Sequence, residues 1–351
     1  MKKFFPFALI VVATLTGAGC SSDPSSITPI DGVEKAKIVF AADFANGEGC
    51  TTHKGFGCDV YTADIAFNGS VENVLQRTSE DRIEAFPVFS TDGSTVYANR
   101  YGGKNGGDIE FVSLADGSTG ILQEGALGPA VLPDGKTLVY VRASDSNVAS
   151  ASFVTSTSLG DATMLTTDGD YHEPHASSTG TVLFEKLSGA GRGSNTAQAR
   201  ALIPSNGKMI DLTEADGTGH CFWNASGTKA MCNNSEKYRG IFSVPFDGEV
   251  AGSGSLFLSH PTVKQISALD ADYEACLGVS YAYGTFCDDE HMIVSIGCAT
   301  DTPTGRDTLM SKLGLIDLST TPPTVYSLGK NLAEAFGGPG VSSNTVSCRM
   351  E

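Results

Sequence analysis

The stretch Pro87-Val88-Phe89-Ser90-Thr91-Asp92-Gly93 returns several times along this chain of 351 residues. Further copies, with a turn glycine at the same place, span residues 129–135, 174–180 and 221–227. The turn glycines are 42, 45 and 47 residues apart. In each copy an apolar run leads into a tight Asp-Gly, Ser-Gly or Thr-Gly turn and then into a second apolar run, as in a β-hairpin. The pattern therefore predicts a hairpin that recurs at a nearly constant interval.

Two more strands follow each hairpin, and four strands in about 45 residues make one blade of a β-propeller. A weaker copy begins near Cys276 and a degenerate one at Pro339. Three strands near residues 37–41, 59–63 and 73–75 precede the first full copy and lack an inner strand, which the segment from Pro339 can supply. The sequence predicts an all-β, six-bladed propeller of four-stranded blades, in which the C-terminal strand joins the N-terminal blade and closes the ring. The alternative is an open sandwich, which does not need this period.

The repeated motif Pro-x-aromatic-Ser-x-Asp-Gly resembles that of TolB-type, WD-repeat-like β-propellers. The resemblance covers roughly residues 36–349 and is strongest in the first two copies. The Trp-Asp and Gly-His signatures of eukaryotic WD propellers are missing, and the only tryptophan is Trp223. The resemblance implies a rigid ring that presents loops to binding partners. We assign residues 36–351 to this domain.

The first 19 residues have the pattern of an export signal, with Lys2 and Lys3, an apolar run and a small-residue end. The apolar run contains Pro6 and is too short for a membrane-spanning helix. We therefore predict that residues 1–19 are a signal peptide.

The segment that ends in Cys20 resembles a bacterial lipoprotein signal, although Gly17 stands where that motif usually has leucine. The resemblance implies that Cys20 is lipidated and, because Ser21 follows it instead of aspartate, that the protein is held at the outer membrane. An ordinary cleaved signal and a soluble exported protein are the alternative. Residues 20–35, rich in Ser, Pro and Thr, are predicted to be a flexible tether.

The chain has 23 Lys and Arg against 40 Asp and Glu, a formal net charge of −17. This excess of acid argues against nucleic acid as a partner. We expect a monomeric propeller that meets the membrane through its lipid anchor. Its expected partners are other envelope proteins or a small or polymeric ligand.

Eight cysteines follow Cys20, and an even number in an exported chain indicates disulfides. A turn at Ser226-Gly227 places Cys221 opposite Cys232 on antiparallel strands, within bonding distance. Cys276 and Cys287 repeat the spacing of Cys221 and Cys232, and Cys50 and Cys58 lie close in sequence. Cys298 and Cys348 are then left by elimination. The predicted bonds are Cys50–Cys58, Cys221–Cys232, Cys276–Cys287 and Cys298–Cys348. Metal-binding thiolates would require C-x2-C pairs, which the sequence lacks.

The sequence contains no nucleophile elbow, P-loop, dinucleotide-binding loop or H-E-x-x-H zinc motif. Acidic residues and histidines do precede the innermost strands, and these connections gather around one mouth of a propeller's channel. The candidate site residues are Glu84, Asp170, His172, Glu173, His220, Asp272 and Glu274. Carboxylates with imidazoles suit a divalent cation. The alternative is that these residues form turns and solvate the rim.

Our leading hypothesis is a non-enzymatic envelope lipoprotein that binds protein partners or a ligand through propeller loops. The runner-up is a metal-dependent propeller lyase or hydrolase that acts on a polysaccharide or peptide at the channel mouth. A purely structural lipoprotein is a third possibility.

Overall fold

The computed structural model describes residues 34–43, 58–79, 84–102, 106–187, 197–214, 218–234, 240–302, 305–337 and 343–350. The predicted signal peptide at residues 1–19, Cys20 and nearly all of the predicted tether at residues 20–35 lie outside these ranges. The first strand begins at Lys35, the last residue assigned to the tether.

Six antiparallel sheets follow one another along the chain. Blade 1 contains β1 (Lys35–Ala42), β2 (Asp59–Ala66), β3 (Val71–Gln76) and, as its inner strand, β25 (Ser343–Met350). Blade 2 contains β4 (Glu84–Phe89), β5 (Thr95–Tyr101), β6 (Gly107–Ser113) and β7 (Thr119–Glu124). Blade 3 contains β8 (Ala126–Val131), β9 (Thr137–Arg142), β10 (Val148–Thr155) and two short strands, β11 (Ser158–Leu159) and β12 (Thr163–Met164).

The other three blades repeat the order of blade 2. Blade 4 contains β13 (Tyr171–Ala176), β14 (Val182–Leu187), β15 (Ala197–Ile203) and β16 (Lys208–Asp211). Blade 5 contains β17 (Gly219–Trp223), β18 (Lys229–Asn234), β19 (Gly240–Pro245) and β20 (Ser255–Ser259). Blade 6 contains β21 (Gly278–Phe286), β22 (His291–Thr302), β23 (Gly305–Asp317) and β24 (Thr324–Tyr326). The predicted fold class, a six-bladed propeller of four-stranded blades, is confirmed.

The hairpin turns form for the reason that the sequence suggests. In the first copy, the Asp92 carboxylate accepts hydrogen bonds from the backbone N–H of Ser94 at 3.0 Å and from the hydroxyl of Ser90 at 2.7 Å. Gly93 has φ +72°, in the left-handed region that glycine adopts without strain. Apolar side chains of the strands then pack between adjacent blades, as Tyr97 of blade 2 and Tyr140 of blade 3 do in one shared cluster.

The ring closes as predicted. Strand β25 pairs antiparallel with β1, and Ile38 lies opposite Cys348. Residues 338–342, which include the start of the predicted closing segment at Pro339, lie outside the described ranges.

Within the described residues, three short helical segments were not predicted: α1 (Val263–Ser267), a 3-10 helix (Ala271–Tyr273) and α2 (Leu328–Phe336). Helix α2 buries Leu328 and Leu332 in the cluster that joins blades 6 and 1. In the described part of the chain, the helices are too short or too polar to cross a bilayer.

The disulfide prediction is right for one pair and wrong for two. Cys221 is bonded to Cys232, with 4.1 Å between the Cα atoms. The other observed bonds are Cys276–Cys298 and Cys287–Cys348, instead of the predicted Cys276–Cys287 and Cys298–Cys348. Cys58 is disulfide-bonded, but Cys50 lies outside the described residues, so the Cys50–Cys58 bond stays a prediction.

The error in blade 6 comes from the position of the turn. Pairing Cys276 with Cys287 assumes a hairpin that turns near Tyr281, whereas β21 continues past Tyr281 and ends at Phe286. Cys276 therefore lies before the strand, next to the far end of β22, where Val279 faces Cys298. At the other end of the hairpin, Cys287 reaches the closing strand. That bond fixes blade 6 to the inner strand of blade 1.

Candidate functional site

The inner strands of five blades share an irregularity at the same level of the ring. In each, the register with the second strand shifts by one residue, which is a β-bulge. The inserted residues are Phe86 in β4, Gly128 in β8, Glu173 in β13, His220 in β17 and Tyr283 in β21. The closing strand β25 is irregular as well, next to Thr345.

Four of these bulge residues have left-handed backbone. The φ angle is +64° at Gly128, +52° at Phe86 and Glu173, and +51° at His220. Such a conformation is natural for glycine but costs other residues about 1–2 kcal/mol. Three inner strands therefore carry a strained, non-glycine residue where glycine would fit freely, and strain of this kind is concentrated at functional sites.

The bulge side chains meet across the ring. The Glu173 carboxylate of blade 4 lies 3.1 Å from Nδ1 of His220 in blade 5, and it accepts a hydrogen bond of 3.1 Å from the Tyr283 hydroxyl of blade 6. The rings of His220 and Tyr283 are 4.0 Å apart, and the ring of Phe86 in blade 2 lies 5.5 Å from Tyr283, edge to face. Blades 2, 4 and 6 are not neighbours, so side chains from all three can touch only at the central channel. We call these four residues the channel cluster.

The closing strand contributes to the same place. The backbone N–H of Phe86 donates to the Thr345 hydroxyl at 3.0 Å. This bond links the channel cluster to the strand that completes blade 1.

The channel cluster contains an ion pair at neutral pH. Burial opposes charge on His220, but the attraction and hydrogen bond of Glu173, with a smaller part from Glu185, raise the pKa of His220 to about 9. Burial, together with Glu173 and Glu185, raises the pKa of Tyr283 well above its ordinary value, so its hydroxyl stays protonated. His220 is therefore an imidazolium that Glu173 neutralises while Tyr283 donates to the same carboxylate.

Two connected cavities in the channel are lined by described residues. The smaller one, of about 60 Å³, is lined by the channel cluster and by three prolines, Pro87, Pro129 and Pro174. The larger one, of about 230 Å³, lies towards the hairpin turns. Val88, His175 and two of the prolines line both, so the two cavities are parts of one channel.

Of the predicted site residues, Glu173 and His220 are brought together, whereas Glu84 lies elsewhere. Glu84 is 1% exposed and accepts hydrogen bonds from the backbone N–H of Val60, at 3.1 Å, and from the Thr78 hydroxyl. Burial, with the neighbouring carboxyl of Glu110, raises the pKa of Glu84 to about 9. Glu84 is therefore a protonated acid at the junction of blades 1 and 2.

The remaining predicted residues, Asp170, His172, Asp272 and Glu274, are not members of the channel cluster. Asp170 and Glu274 are exposed, and His172 is half-buried in β13. Asp272 lies beside the buried ammonium of Lys312 at 2.5 Å, which also contacts Asp270 at 2.8 Å. Within the described ranges, no group of three or more His, Cys, Asp or Glu is placed to hold a metal ion. The divalent cation stays a prediction.

The two Asp-x-Asp-Tyr segments that end in Tyr171 and Tyr273 have a structural role in common. Asp168 contacts Lys186 at 3.1 Å, and Asp270 contacts Lys312, so each first aspartate binds a lysine on a strand of its own blade. Both tyrosine side chains are buried. These segments anchor the entry to blades 4 and 6 and account for the repetition without a ligand.

Sequence reasoning missed Phe86, Tyr283 and Thr345. A signal was available for Phe86, because it immediately precedes Pro87 just as Glu173 precedes Pro174. Tyr283 and Thr345 belong to the degenerate copies, where no proline marks the position.

Comparisons with known proteins agree with the fold. No protein family matches the sequence, and no curated protein matches it either. Among solved structures, TolB from Acinetobacter baumannii is similar with a TM-score of 0.57 and 13% identity over 89% of this chain. The match covers 66% of that TolB chain, so this protein spans slightly less than two thirds of its length. A chain of a nidogen/laminin complex is similar with a TM-score of 0.55 and 8% identity, over 90% of this chain and 98% of that one. At these identities the similarity establishes a TolB-like propeller and nothing about activity.

Proposed function

We propose that this protein is a lipid-anchored component of the bacterial envelope that binds a protein partner at the channel mouth and catalyses no reaction. The observation that carries the proposal is the channel cluster, which joins one residue each from blades 2, 4, 5 and 6. The ring supplies the rigidity that a binding site needs, because each side chain is fixed by a strand and not by a loop.

The composition of the cluster suits recognition of a protein segment. Phe86, Tyr283 and the neighbouring prolines give apolar walls, and Glu173 with His220 gives a polar group of fixed orientation. Pockets with mainly apolar walls and a few placed polar groups are typical binding sites. All four side chains of the cluster are only partly buried, so a partner can reach them.

The envelope location rests on different observations. Residues 1–20 have the pattern of a lipoprotein signal, and the described domain contains three disulfides whose partners are both described. Disulfides persist in oxidising compartments and are rare in the cytosol. The propeller fold is shared with TolB.

Site-specific crosslinking in the native host tests the binding proposal. A photoreactive phenylalanine analogue replaces Phe86 in the full-length chain, and a matched control places it at Phe257, which is 38% exposed on the outermost strand of blade 5. We expect a discrete protein adduct from position 86 that is lost when His220→Ala is added. Equal adducts from both positions, or none from position 86, would contradict a partner at the channel mouth.

Fractionation tests the anchor separately. The wild-type protein should be found with outer-membrane fractions, and Cys20→Ser should release it into the soluble fraction or leave an uncleaved precursor. Unchanged membrane association and mature size in Cys20→Ser would rule out lipidation at this cysteine.

A further inference from the structure

Two histidines from adjacent blades line the smaller channel cavity. In each ring, Nδ1 already has a partner. The backbone N–H of Trp223 donates to Nδ1 of His175 at 3.4 Å, and Nδ1 of His220 lies 3.1 Å from the Glu173 carboxylate. Among the described residues, Nε2 of neither ring has a hydrogen-bond partner.

The environment of each ring fixes a hydrogen on Nε2. Burial lowers the pKa of His175 to about 4, so this ring is neutral at pH 7. Since its Nδ1 accepts a hydrogen bond, its single hydrogen is on Nε2. The pKa of His220 is about 9, so both of its nitrogens carry hydrogen. The cavity is thus lined by two rings, each with an Nε2–H donor that no described residue uses.

The surroundings select against a charged ligand. The charge of His220 is already balanced by Glu173, and a second carboxylate, Glu185, interacts with the same imidazolium. An added carboxylate would be repelled by these acids, and an added ammonium has no acceptor for either Nε2–H group. What remains is an uncharged group that accepts hydrogen bonds.

The size and walls of the cavity narrow the choice further. Its volume is about 60 Å³, several times the ~10–15 Å³ that a cavity needs to hold one water. Phe86, the three prolines, Val88 and Val346 belong to its apolar wall. A small carbonyl group attached to an apolar body matches both the donors and the wall.

We infer that His175 and His220 bind an uncharged amide carbonyl, carried beside an apolar group, in the smaller channel cavity. The inference rests on the proposed function, because it names the chemistry by which the channel mouth would recognise a partner. Such an amide can come from an extended protein segment or from a free small molecule.

Histidine-selective NMR tests the inference on the purified protein. The probe is N-acetyl-leucine methylamide, and the observed signals are the Nε2 resonances of the imidazole rings. We expect saturable shifts for His175 and His220 and none for His260 or His291, which lie outside the cavity lining. Acetate and butylammonium, tested at equal concentrations, should give no saturable shift.

Two variants of His220 form a matched pair. His220→Gln keeps a side-chain N–H donor, and His220→Phe keeps a planar ring without one. We expect affinity for the probe to fall about tenfold in His220→Phe, as for one lost hydrogen bond, and to stay within about threefold in His220→Gln. Equal affinity in the Phe variant, no saturable shift in the wild type, or tighter binding of acetate or butylammonium would overturn the inference.

A second probe separates the two sources of the amide. If N-acetyl-leucine methylamide binds at least about tenfold more tightly than N-methylacetamide, the apolar body contributes and a protein segment is the source. Equal affinities would assign the cavity to a free small amide. If crosslinking at Phe86 succeeds while the amide probes fail, the binding proposal stands and this inference falls. If the amide probes bind while crosslinking at Phe86 fails, the cavity is an amide site without a protein partner.

Discussion

Glu84 and Glu173 both lie at the start of an inner strand, yet their environments are opposite. Glu84 is buried at the junction of two blades and stays protonated at neutral pH beside Glu110. Glu173 is partly exposed in the channel and forms an ion pair with His220. The two residues differ by their distance from the proline of the repeat, three positions for Glu84 and one for Glu173.

The difference shows that the bulge decides which side chain enters the channel. The residue immediately before the proline is the one that the bulge inserts, as with Phe86, Gly128 and Glu173. A residue two places earlier lies in the regular part of the strand and faces the neighbouring blade. Glu84 is therefore expected to matter for stability and Glu173 for binding, and each of the following experiments tests that division.

The largest expected effect is on folding. Glu84→Ala removes a buried side chain, its hydrogen bonds to Val60 and Thr78, and a partner of Glu110. We expect the free energy of unfolding to fall by about 3 kcal/mol. Glu173→Ala, in the more exposed channel, should lower it by less than about 1 kcal/mol. Urea denaturation of both variants measures the difference, and similar losses would remove the distinction between the two acids.

The next largest effect on stability is expected at Gly128, the bulge residue of β8, which has no side chain. A Cβ atom added to Gly128 would lie 2.3 Å from Cδ of Pro174 in blade 4, and the residue has φ +64°. We expect Gly128→Ala to destabilise the fold by about 3 kcal/mol, from overpacking and backbone strain together.

A matched glycine isolates the contribution of backbone strain. Gly117 has φ +72° and nothing within 4 Å of an added Cβ, so Gly117→Ala should lower the free energy of unfolding by only about 1 kcal/mol. Equal losses in the two variants, measured by thermal or urea unfolding, would mean that the contact with Pro174 does not restrict the bulge.

A further effect of Glu84 is expected in the pH dependence of stability. The pKa of Glu84 is raised in the folded state from 4.5 to about 9, so folding takes up a proton between these values. The contribution of Glu84 is complete below pH 4.5 and declines as the pH rises towards 9, by at most about 1.4 kcal/mol per pH unit.

Glu84→Gln, which cannot ionise, should remove this decline. Urea unfolding of the wild type and the variant at pH 5, 7 and 9 gives the comparison, and the stability of the variant relative to the wild type should rise with pH. If the stabilities of the wild type and the variant changed in parallel with pH, Glu84 would not be protonated in the folded protein.

The smallest expected effect on stability is in the channel. Glu173→Gln removes the charge that raises the pKa of His220 to about 9, so that pKa should fall towards or below its ordinary value of 6.5. In the wild type, the stabilisation from this pair is complete below pH 6.5 and is lost as the pH rises through about 9. An NMR titration of the histidines measures the shift, and the low pKa of His175 provides the internal control. An unchanged pKa of His220 would mean that Glu173 is not its partner.

The repeat could be predicted because its signals are local. The Asp92-Gly93 turn and its later copies define a hairpin within a few residues, and the constant interval between them defines the ring. The same local logic gave Cys221–Cys232, since the turn at Ser226-Gly227 lies midway between the two cysteines. Features that depend on one turn were therefore accessible from sequence.

Features that depend on several blades were not. The sequence does not give φ, so the different distances of Glu173 and Glu84 from the proline could not be interpreted as channel and non-channel positions. In blade 6 the strands β22 and β23 are long and the turn lies later than the spacing of the cysteines suggests, so Cys276 and Cys287 were paired with each other. Tyr283 reaches Glu173 only because the ring is closed. Such contacts follow from the assembled architecture.

The origin of β25 at the far end of the sequence has a consequence for biogenesis. If the chain is exported from its N-terminus as proposed, β1 and its first partner β2 emerge about 300 residues before β25, which pairs with the other edge of β1. During that interval β1 presents an open edge, which invites aggregation unless a chaperone covers it. Oxidation of Cys287 with Cys348 would then make the finished ring hard to reopen. Tags or deletions at this end are expected to lower yield more than changes at the tether.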